Sequence, residues 1–520
     1  MKKIFIYLLV INIIIIALVV ILTKNQTRET VLQGLQKEYS VRETSSVDHS
    51  KFEILQKPFA NPQDATAACL TCHTGRGEEM LKSAHFLWSR EEYVEGRGIT
   101  NVGKKNLLNN FCIGIGTNEA SCNRCHAGYG WNHKSYDFTD QKNIDCLVCH
   151  DNSGKYTKKN GGAGMPDDSV DLNKVAQNVG KPMKTNCGSC HFYGGGGNNV
   201  KHGDLEDALL TSGTDVDVHM GYDGLNMECI DCHPAEKHVM KGKLYAVSSM
   251  NRNRALCTDC HTSMPHKETI INEHSLKVAC QTCHIPTYAK VNATKMYWDW
   301  STAGKLKDGK PYHEEDSMGN HSYLSIKGDF VWGKNVEPEY VWFNGTANHY
   351  LVGDTISDTT QVVKMNQLYG SYEDRDAQII PVKIHRGKQV YDKKNKVLIQ
   401  PNLSDSVEGN GAFWTDFNWQ KASQKGMEYI DQKYSGDYGF VHTEMYWPIN
   451  YMVSKKESAV SCIECHSRDG RLKNVSGFYM PGRDFNTFVD KFGLIIIILT
   501  LAGVLGHGLL RILSAHKRKK

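Results

Sequence analysis

The chain has 520 residues, enough for two or three ordinary soluble domains. Apolar residues make up 40% and charged residues 23%, which excludes a disordered chain. A net charge of +4 with no basic stripe carrying interleaved aromatics argues against nucleic acid as a partner. Seventeen Cys and 23 His exclude an ordinary cytosolic enzyme.

In chain order, residues 1–24 read as a signal-anchor transmembrane helix. Met1-Lys2-Lys3 precedes an apolar stretch from Ile4 to Leu22 interrupted only by Asn12. No A-x-A-like cleavage site follows, so the anchor is expected to stay. Residues 25–65, rich in Gln, Lys, Glu, Ser and Thr, read as a linker. Residues 66–290 hold seven C-x-x-C-H units: Cys69/Cys72/His73, Cys122/Cys125/His126, Cys146/Cys149/His150, Cys187/Cys190/His191, Cys229/Cys232/His233, Cys257/Cys260/His261 and Cys280/Cys283/His284. Residues 291–461 contain no such unit and are rich in Trp, Tyr and Asn. Within them Gln389-Val390-Tyr391 and Val397-Leu398-Ile399 predict a β-hairpin. Residues 462–490 carry the eighth unit, Cys462/Cys465/His466. Residues 491–520 read as a second transmembrane helix, Leu494 to Leu513, ending in Lys517-Arg518-Lys519-Lys520.

C-x-x-C-H is the c-type haem attachment signature: two thioethers fix the porphyrin and the adjacent His supplies a nitrogen to iron. Zinc ribbons do not demand His after every second Cys, redox pairs occur singly, and disulfides have no reason for a fixed five-residue unit. Eight units therefore predict eight covalently bound haems c. With so many haems in so few residues the haems themselves become the core. The expected fold is mainly α with short helices and long loops, a haem-packed multihaem cytochrome c fold, with a haem-free mixed segment before the eighth haem and a transmembrane helix at each end. Gly194 to Gly197 permit close backbone approach to a macrocycle. Haem attachment takes place outside the bacterial cytoplasm. With basic residues outside both apolar stretches, the expectation is a bacterial inner (cytoplasmic) membrane protein, both termini cytoplasmic and the haem region periplasmic.

Eight His belong to motifs, which leaves fifteen. His85, His202, His219, His238, His266, His274 and His442 lie where a distal iron ligand is expected. His49 is assigned to the linker, and His133, His313, His321, His349 and His385 to surface or structure. A bis-His iron only transfers electrons, whereas an iron without a strong sixth ligand can bind substrate. Seven distal His for eight irons would leave one catalytic centre. Cys112 is the one cysteine outside the motifs.

Seven clustered motifs, a long gap and an eighth motif resemble the octahaem tetrathionate reductase family. The resemblance covers about residues 50 to 480. It rests on Asn109-Asn110-Phe111-Cys112, on Cys125-His126-Ala127-Gly128-Tyr129-Gly130-Trp131, and on Cys190-His191-Phe192-Tyr193-Gly194 running to Val200-Lys201-His202-Gly203. It implies that the second-motif haem is the active site, with Lys201 as its distal amine ligand and Cys112 as a free thiol beside it. Asn198 stands where the family is expected to carry an acid three residues before the lysine. Both terminal anchors depart from the family's soluble periplasmic members.

The reading is an oxidoreductase that reduces a small inorganic nitrogen or sulfur compound of the tetrathionate, nitrite or hydroxylamine type. Its electrons would come from a membrane quinol dehydrogenase or cytochrome b partner. Two alternatives stay open: an electron carrier between the quinol pool and periplasmic acceptors, and a hydroxylamine-oxidising enzyme.

Overall fold

The computed structural model describes residues 11–18, 39 and 47–517. The described part of the N-terminal apolar stretch, residues 11–18, is helical and exposed; the remainder of that predicted anchor lies outside the described residues. The chain divides into two compact units, Met1–Ala459 and Val460–Lys520.

A cysteine pair spaced i, i+3 shares one face of a helical turn, so the motif favours a short helix with His just beyond it. Helix α1, Pro62–Cys72, carries the first motif and is capped by the Asn61 side chain, which accepts from the Asp64 amide. Helix α2, Lys184–His191, carries the fourth. Single turns hold others, at Leu147–His150, Cys229–Cys232 and Cys280–His284. Long loops join them. Sulfurs of different motifs meet: Cys69 with Cys146, Cys125 with Cys190, Cys187 with Cys229, and Cys257 with Cys280.

The expectation of a mainly α chain needs correction beyond residue 290. There the alternating and continuous apolar runs build a nine-stranded sheet. Its strands are β1 (Thr294–Asp299), β2 (His313–Glu315), β3 (His321–Leu324), β4 (Gly328–Gly333), β5 (Glu339–Phe343), β6 (Val363–Lys364), β7 (Gln378–Asp392), β8 (Val397–Leu398) and β9 (Tyr438–Pro448). The order is β6-β9-β7-β1-β4-β3-β2, with β5 and β8 also paired to β7. The predicted hairpin is present, Tyr391 facing Leu398 and Asp392 facing Val397. Strand β7 is 15 residues long and almost continuously buried, as expected of a strand covered on both faces. It pairs antiparallel with β9 from Val382↔Pro448 to Asp392↔Tyr438 and parallel with β1 at Arg386↔Tyr297.

The largest apolar cluster gathers Trp298, Trp300, Phe330, Phe413, Trp419 and Trp447 on this sheet together with Phe111 and Val200 from the motif region. Sheet and motif-bearing loops thus share one core, and this core places the residues around the second motif. Helix α3, Trp419–Tyr429, packs Trp419, Ala422 and Met427 into the same cluster.

In the second unit, the eighth motif folds as the turn Cys462–Cys465, where Arg471 pairs with Glu464 at 2.8 Å. Helix α4 follows, Thr487–Lys517. Its 31 residues span roughly 46 Å, more than a bilayer's hydrocarbon core of about 30 Å. Its most apolar 18 residues have mean hydropathy 2.3, and none of Thr487–His516 is buried.

Candidate functional site

Four pairs of histidine rings face one another at nearly one separation. His49 and His73 have ring centres 6.3 Å apart, His85 and His191 6.2 Å, His219 and His261 6.1 Å, and His266 and His284 6.2 Å. Two imidazoles bound to opposite sides of one metal, with bonds of about 2.0 Å and a ring radius of roughly 1.1 Å, would have centres about 6.2 Å apart. Each pair joins one motif histidine to one outside the motifs, and each leaves room for an iron between the rings. The chain therefore fits haem at these motifs.

Three other motif histidines show the hydrogen bond that exposes the correct nitrogen. Nδ1 of His150 lies 2.8 Å from the Gly180 carbonyl, Nδ1 of His233 2.8 Å from that of Lys241, and Nδ1 of His466 2.9 Å from that of Pro481. Donation from Nδ1 fixes the tautomer whose Nε2 lone pair is available to a metal.

The attachment cysteines are not placed alike. Cys72 closes α1, Cys149 lies inside the turn Leu147–His150, and Cys190 lies inside α2. The short-helix expectation is corrected at the sixth motif. There a 3₁₀ turn covers only Cys257–Asp259, and Cys260 stands just past it, with its amide donating to the Cys257 carbonyl at 3.3 Å. Three residues per turn still bring positions i and i+3 to one side, so Cys257 and Cys260 can share one porphyrin edge. Both are exposed. Cys260 also neighbours Cys232 of the fifth motif, whose thiol is pushed up by burial and, secondarily, by Cys260. At the seventh motif Cys283 stays within the turn Cys280–His284 and is half-buried, as Cys280 is. In the second unit Cys462 is exposed and Cys465 half-buried.

Of the histidines selected from sequence, His85, His219 and His266 stand in ring pairs. His238 lies 3.0 Å from Glu79 and is among the groups that, after burial, depress His150. His202 is half-buried against Trp447, ring centres 5.0 Å apart. His274 caps its own helix through the Ile270 carbonyl. His442 is exposed on β9 opposite Lys388. His49, placed in the linker by sequence, instead faces His73, and His385, read as surface or structural, is wholly buried with neither ring nitrogen partnered. The nitrogen of His233 that would face a metal meets the Tyr451 hydroxyl at 3.2 Å, a neighbour that sequence did not suggest.

The second motif is different. His126 is 1% exposed and boxed by Phe86, Trp88, Trp131, Tyr136 and Phe138, with ring centres 5.0 to 5.9 Å away. Its Nε2 sits 2.6 Å from the Phe86 carbonyl, and Nδ1 is buried without a partner. Burial pushes its basicity down, to a pKa of about 3. The buried amine of Lys158 braces this turn, donating to the carbonyls of His126 and Gly128 and pairing with Asp145 at 2.9 Å.

Lys201 and Cys112 are brought to this motif. Cys112 packs with Cys122 and Cys125 against Trp88, Ile115 and Trp131, and its amide is held by Asn109 Oδ1 at 2.7 Å. Lys201 is 8% exposed, with its amine 5.3 Å from the Trp447 ring centre. Burial lowers its basicity, opposed by nearby Cys112 and Cys125 and reinforced by Lys104. Lys383 on β7 fixes the Lys201 backbone, donating to the Val200 and Lys201 carbonyls and to Thr294 Oγ1 at 3.1, 2.9 and 2.6 Å.

Sequence reasoning missed Lys327. Its amine faces the same cysteines: burial lowers its basicity while Cys112 and Cys122 oppose the shift. The glycine loop makes room for both amines. A Cβ on Gly194 would lie 3.1 Å from Lys201 Cδ, and one on Gly196, whose φ is +96°, would lie 3.4 Å from Lys327 Nζ. Only its place after the Trp-rich β1 could have hinted at Lys327. Asn198 is not isolated from acid: its Nδ2 donates to Asp207 Oδ1 at 2.7 Å. The arrangement joins a low-basicity amine, a second amine and a thiol beside one haem-attachment motif, a set suited to binding and protonating a small anion.

Comparison with known proteins agrees with this geometry. The family described as bacterial cytochrome c matches residues 295–469. An uncharacterised protein of Archaeoglobus fulgidus is 24% identical over 242 residues, 37% of this chain and 80% of that one. The crystal structure of octaheme cytochrome c from Shewanella oneidensis superposes with a TM-score of 0.77 at 43% identity, covering 83% of this chain and 98% of that chain. A likeness of that identity and extent, over a chain whose histidines are spaced to hold iron, makes this protein a member of the octaheme cytochrome c family, with haem c bound covalently.

Proposed function

We propose that the protein is a membrane-anchored periplasmic oxidoreductase with eight haems c, which reduces small nitrogen or sulfur compounds by multi-electron transfer at the second motif. In this reading it belongs with the octahaem tetrathionate reductases. The observation that carries it is the convergence of Lys201, Lys327 and Cys112 on Cys122 and Cys125.

When bound, haem c supplies both an iron able to take a small ligand and the one-electron carriers that feed it. The cysteines of each motif would attach it, and His73 with His49, His191 with His85, His261 with His219 and His284 with His266 would hold its iron. At the second motif Lys201 is the ligand residue. Only a neutral amine binds metal, and burial favours that form. Lys327 and Cys112 would line the approach of the substrate. The Lys327 amine, when protonated, attracts an oxyanion, and Lys201 can carry a proton to the substrate only after leaving the iron. The Cys112 thiol suits a sulfur–sulfur substrate, since a thiolate can attack that bond. The Cys125–Cys190 contact joins this site to the fourth motif, and the further approaches of Cys187 to Cys229 and Cys232 to Cys260 support a continuous electron path. Helix α4 supports attachment to the membrane, where a quinol dehydrogenase or cytochrome b would be the donor.

The test is the resting optical and EPR spectrum together with intact mass. Mass should exceed the apo-chain by eight haems, and one haem should exchange ligands while the others stay low-spin. Lys201→Ala should alter that one haem and abolish or redirect activity. Cys112→Ser should damage tetrathionate reduction far more than nitrite or hydroxylamine reduction. An unchanged spectrum in Lys201→Ala would sink the ligand assignment.

A further inference from the structure

A second cluster of ligating side chains lies away from the motifs, on the hairpin formed by β2 and β3 at one edge of the nine-stranded sheet. His313 and Glu315 are two residues apart on β2 and so share a face. Glu315 stands opposite His321 on β3, and an extra residue in β3 shifts the register between Glu314 and Glu315. The ring centres of His313 and His321 are 5.2 Å apart, and His321 Nδ1 lies 3.8 Å from Glu315 Oε1. One ligand atom from each of the three falls within 4.8 Å of the others.

The scaffold beneath them is fixed. The turn closes through the Asp316 amide on the Asn320 carbonyl at 2.8 Å, while Asp316 Oδ1 accepts the amides of Met318 and Asn320 at 2.9 Å. Trp332 on β4 donates its indole N–H to the His321 carbonyl at 2.7 Å. Tyr312, just before β2, is tied to Ser325, just after β3, by its amide on Ser325 Oγ at 2.8 Å. The hairpin is therefore set while the three side chains remain exposed and free to rotate the short distance to a common centre. None of the three contributes to the apolar core, and two imidazoles so close repel when both are protonated. A cation between them reverses that cost.

We infer that His313, Glu315 and His321 form a surface binding site for a divalent transition ion of the zinc class, stapling edge strand β2 to β3. Two imidazoles and one carboxylate are the ligand set that borderline ions such as Zn²⁺ prefer over Ca²⁺ or Mg²⁺, with water completing the tetrahedron. The site shares no residue with the second-motif centre and does not depend on its chemistry.

The experiment is equilibrium dialysis of the haem-loaded, detergent-solubilised full chain against Zn²⁺, with zinc counted per chain. Wild type should bind one equivalent that His313→Ala and His321→Ala each weaken more than tenfold, whereas His133→Ala, at another exposed histidine, leaves it intact. Cu²⁺ placed in the site should show nitrogen hyperfine structure from two imidazoles by EPR, reduced to one in His313→Ala. All three replaced positions are exposed, so unfolding without metal should match wild type. Equal zinc affinity and stoichiometry in wild type and the His313→Ala/His321→Ala double variant would overturn the assignment, as would copper signals unchanged by His313→Ala.

Discussion

The Lys383 amine donates to the Lys201 main-chain carbonyl at 2.9 Å, so the residue proposed as iron ligand is held from beneath by a second buried lysine. An ammonium offers three donors, and the carbonyls of Val200 and Lys201 with the Thr294 hydroxyl meet all three. Lys383→Met should orphan these acceptors and cost about 1–3 kcal/mol in denaturant unfolding. It should also speed ligand exchange at the second-motif haem, read by stopped-flow spectra. Exchange at the wild-type rate would show that Lys201 is positioned by other contacts.

Lys327 is predicted to recognise the anionic substrate without binding iron. Lys327→Met should leave the resting spectrum intact and raise KM for nitrite or tetrathionate by about tenfold, roughly 1.4 kcal/mol of lost attraction. Lys327→Arg should recover part of it. An altered resting spectrum would instead make Lys327 a ligand.

His49 is predicted to hold the first-motif iron opposite His73. In His49→Ala the thioethers to Cys69 and Cys72 remain, so intact mass should show only the side-chain change. One additional haem should then bind exogenous imidazole or carbon monoxide. His442→Ala, at an exposed position of β9, should open no haem. The reverse outcome would return the assignment to the sequence-based choice.

Acid should weaken the fold through His349. Burial pushes this imidazole down to a pKa of about 4, although its Nε2 bond to the Ser248 carbonyl at 3.0 Å opposes the shift. The unfolded chain takes up the proton first, near pH 6.5, so stability is lost as pH falls from about 6.5 toward 4. The span corresponds to about 3 kcal/mol. His349→Gln, which does not titrate, should flatten that part of the unfolding-versus-pH curve relative to wild type. Parallel curves would assign the acid sensitivity elsewhere.

Several features were legible in the sequence because they are local. The C-x-x-C-H unit encodes its own tight turn, Asp392 to Lys396 close the β7–β8 hairpin, and the apolar run of α4 needs no partner to be read. The resemblance to a known family, on residues around Cys112 and Lys201, singled out two side chains that the fold brings together. What the sequence could not decide was pairing across distance. His49 meets His73 because the turn at His49–Lys51 packs on the helix Leu172–Gln177, which itself lies against α1, and no periodicity links them. Cys260 and Cys283 read alike in their motifs, yet one stands exposed beyond a 3₁₀ turn and the other half-buried within a helical one. Lys327 reaches Cys112 only because the sheet shares its apolar core with the motif loops. The sheet was underestimated because β7 is buried along nearly all its length yet carries Lys383, His385 and Gln389 inside, so its sequence shows neither an apolar run nor a clean alternation. The aromatic box around His126 is likewise tertiary: Phe86 comes from forty residues before it, and Trp131, Tyr136 and Phe138 close it from beyond.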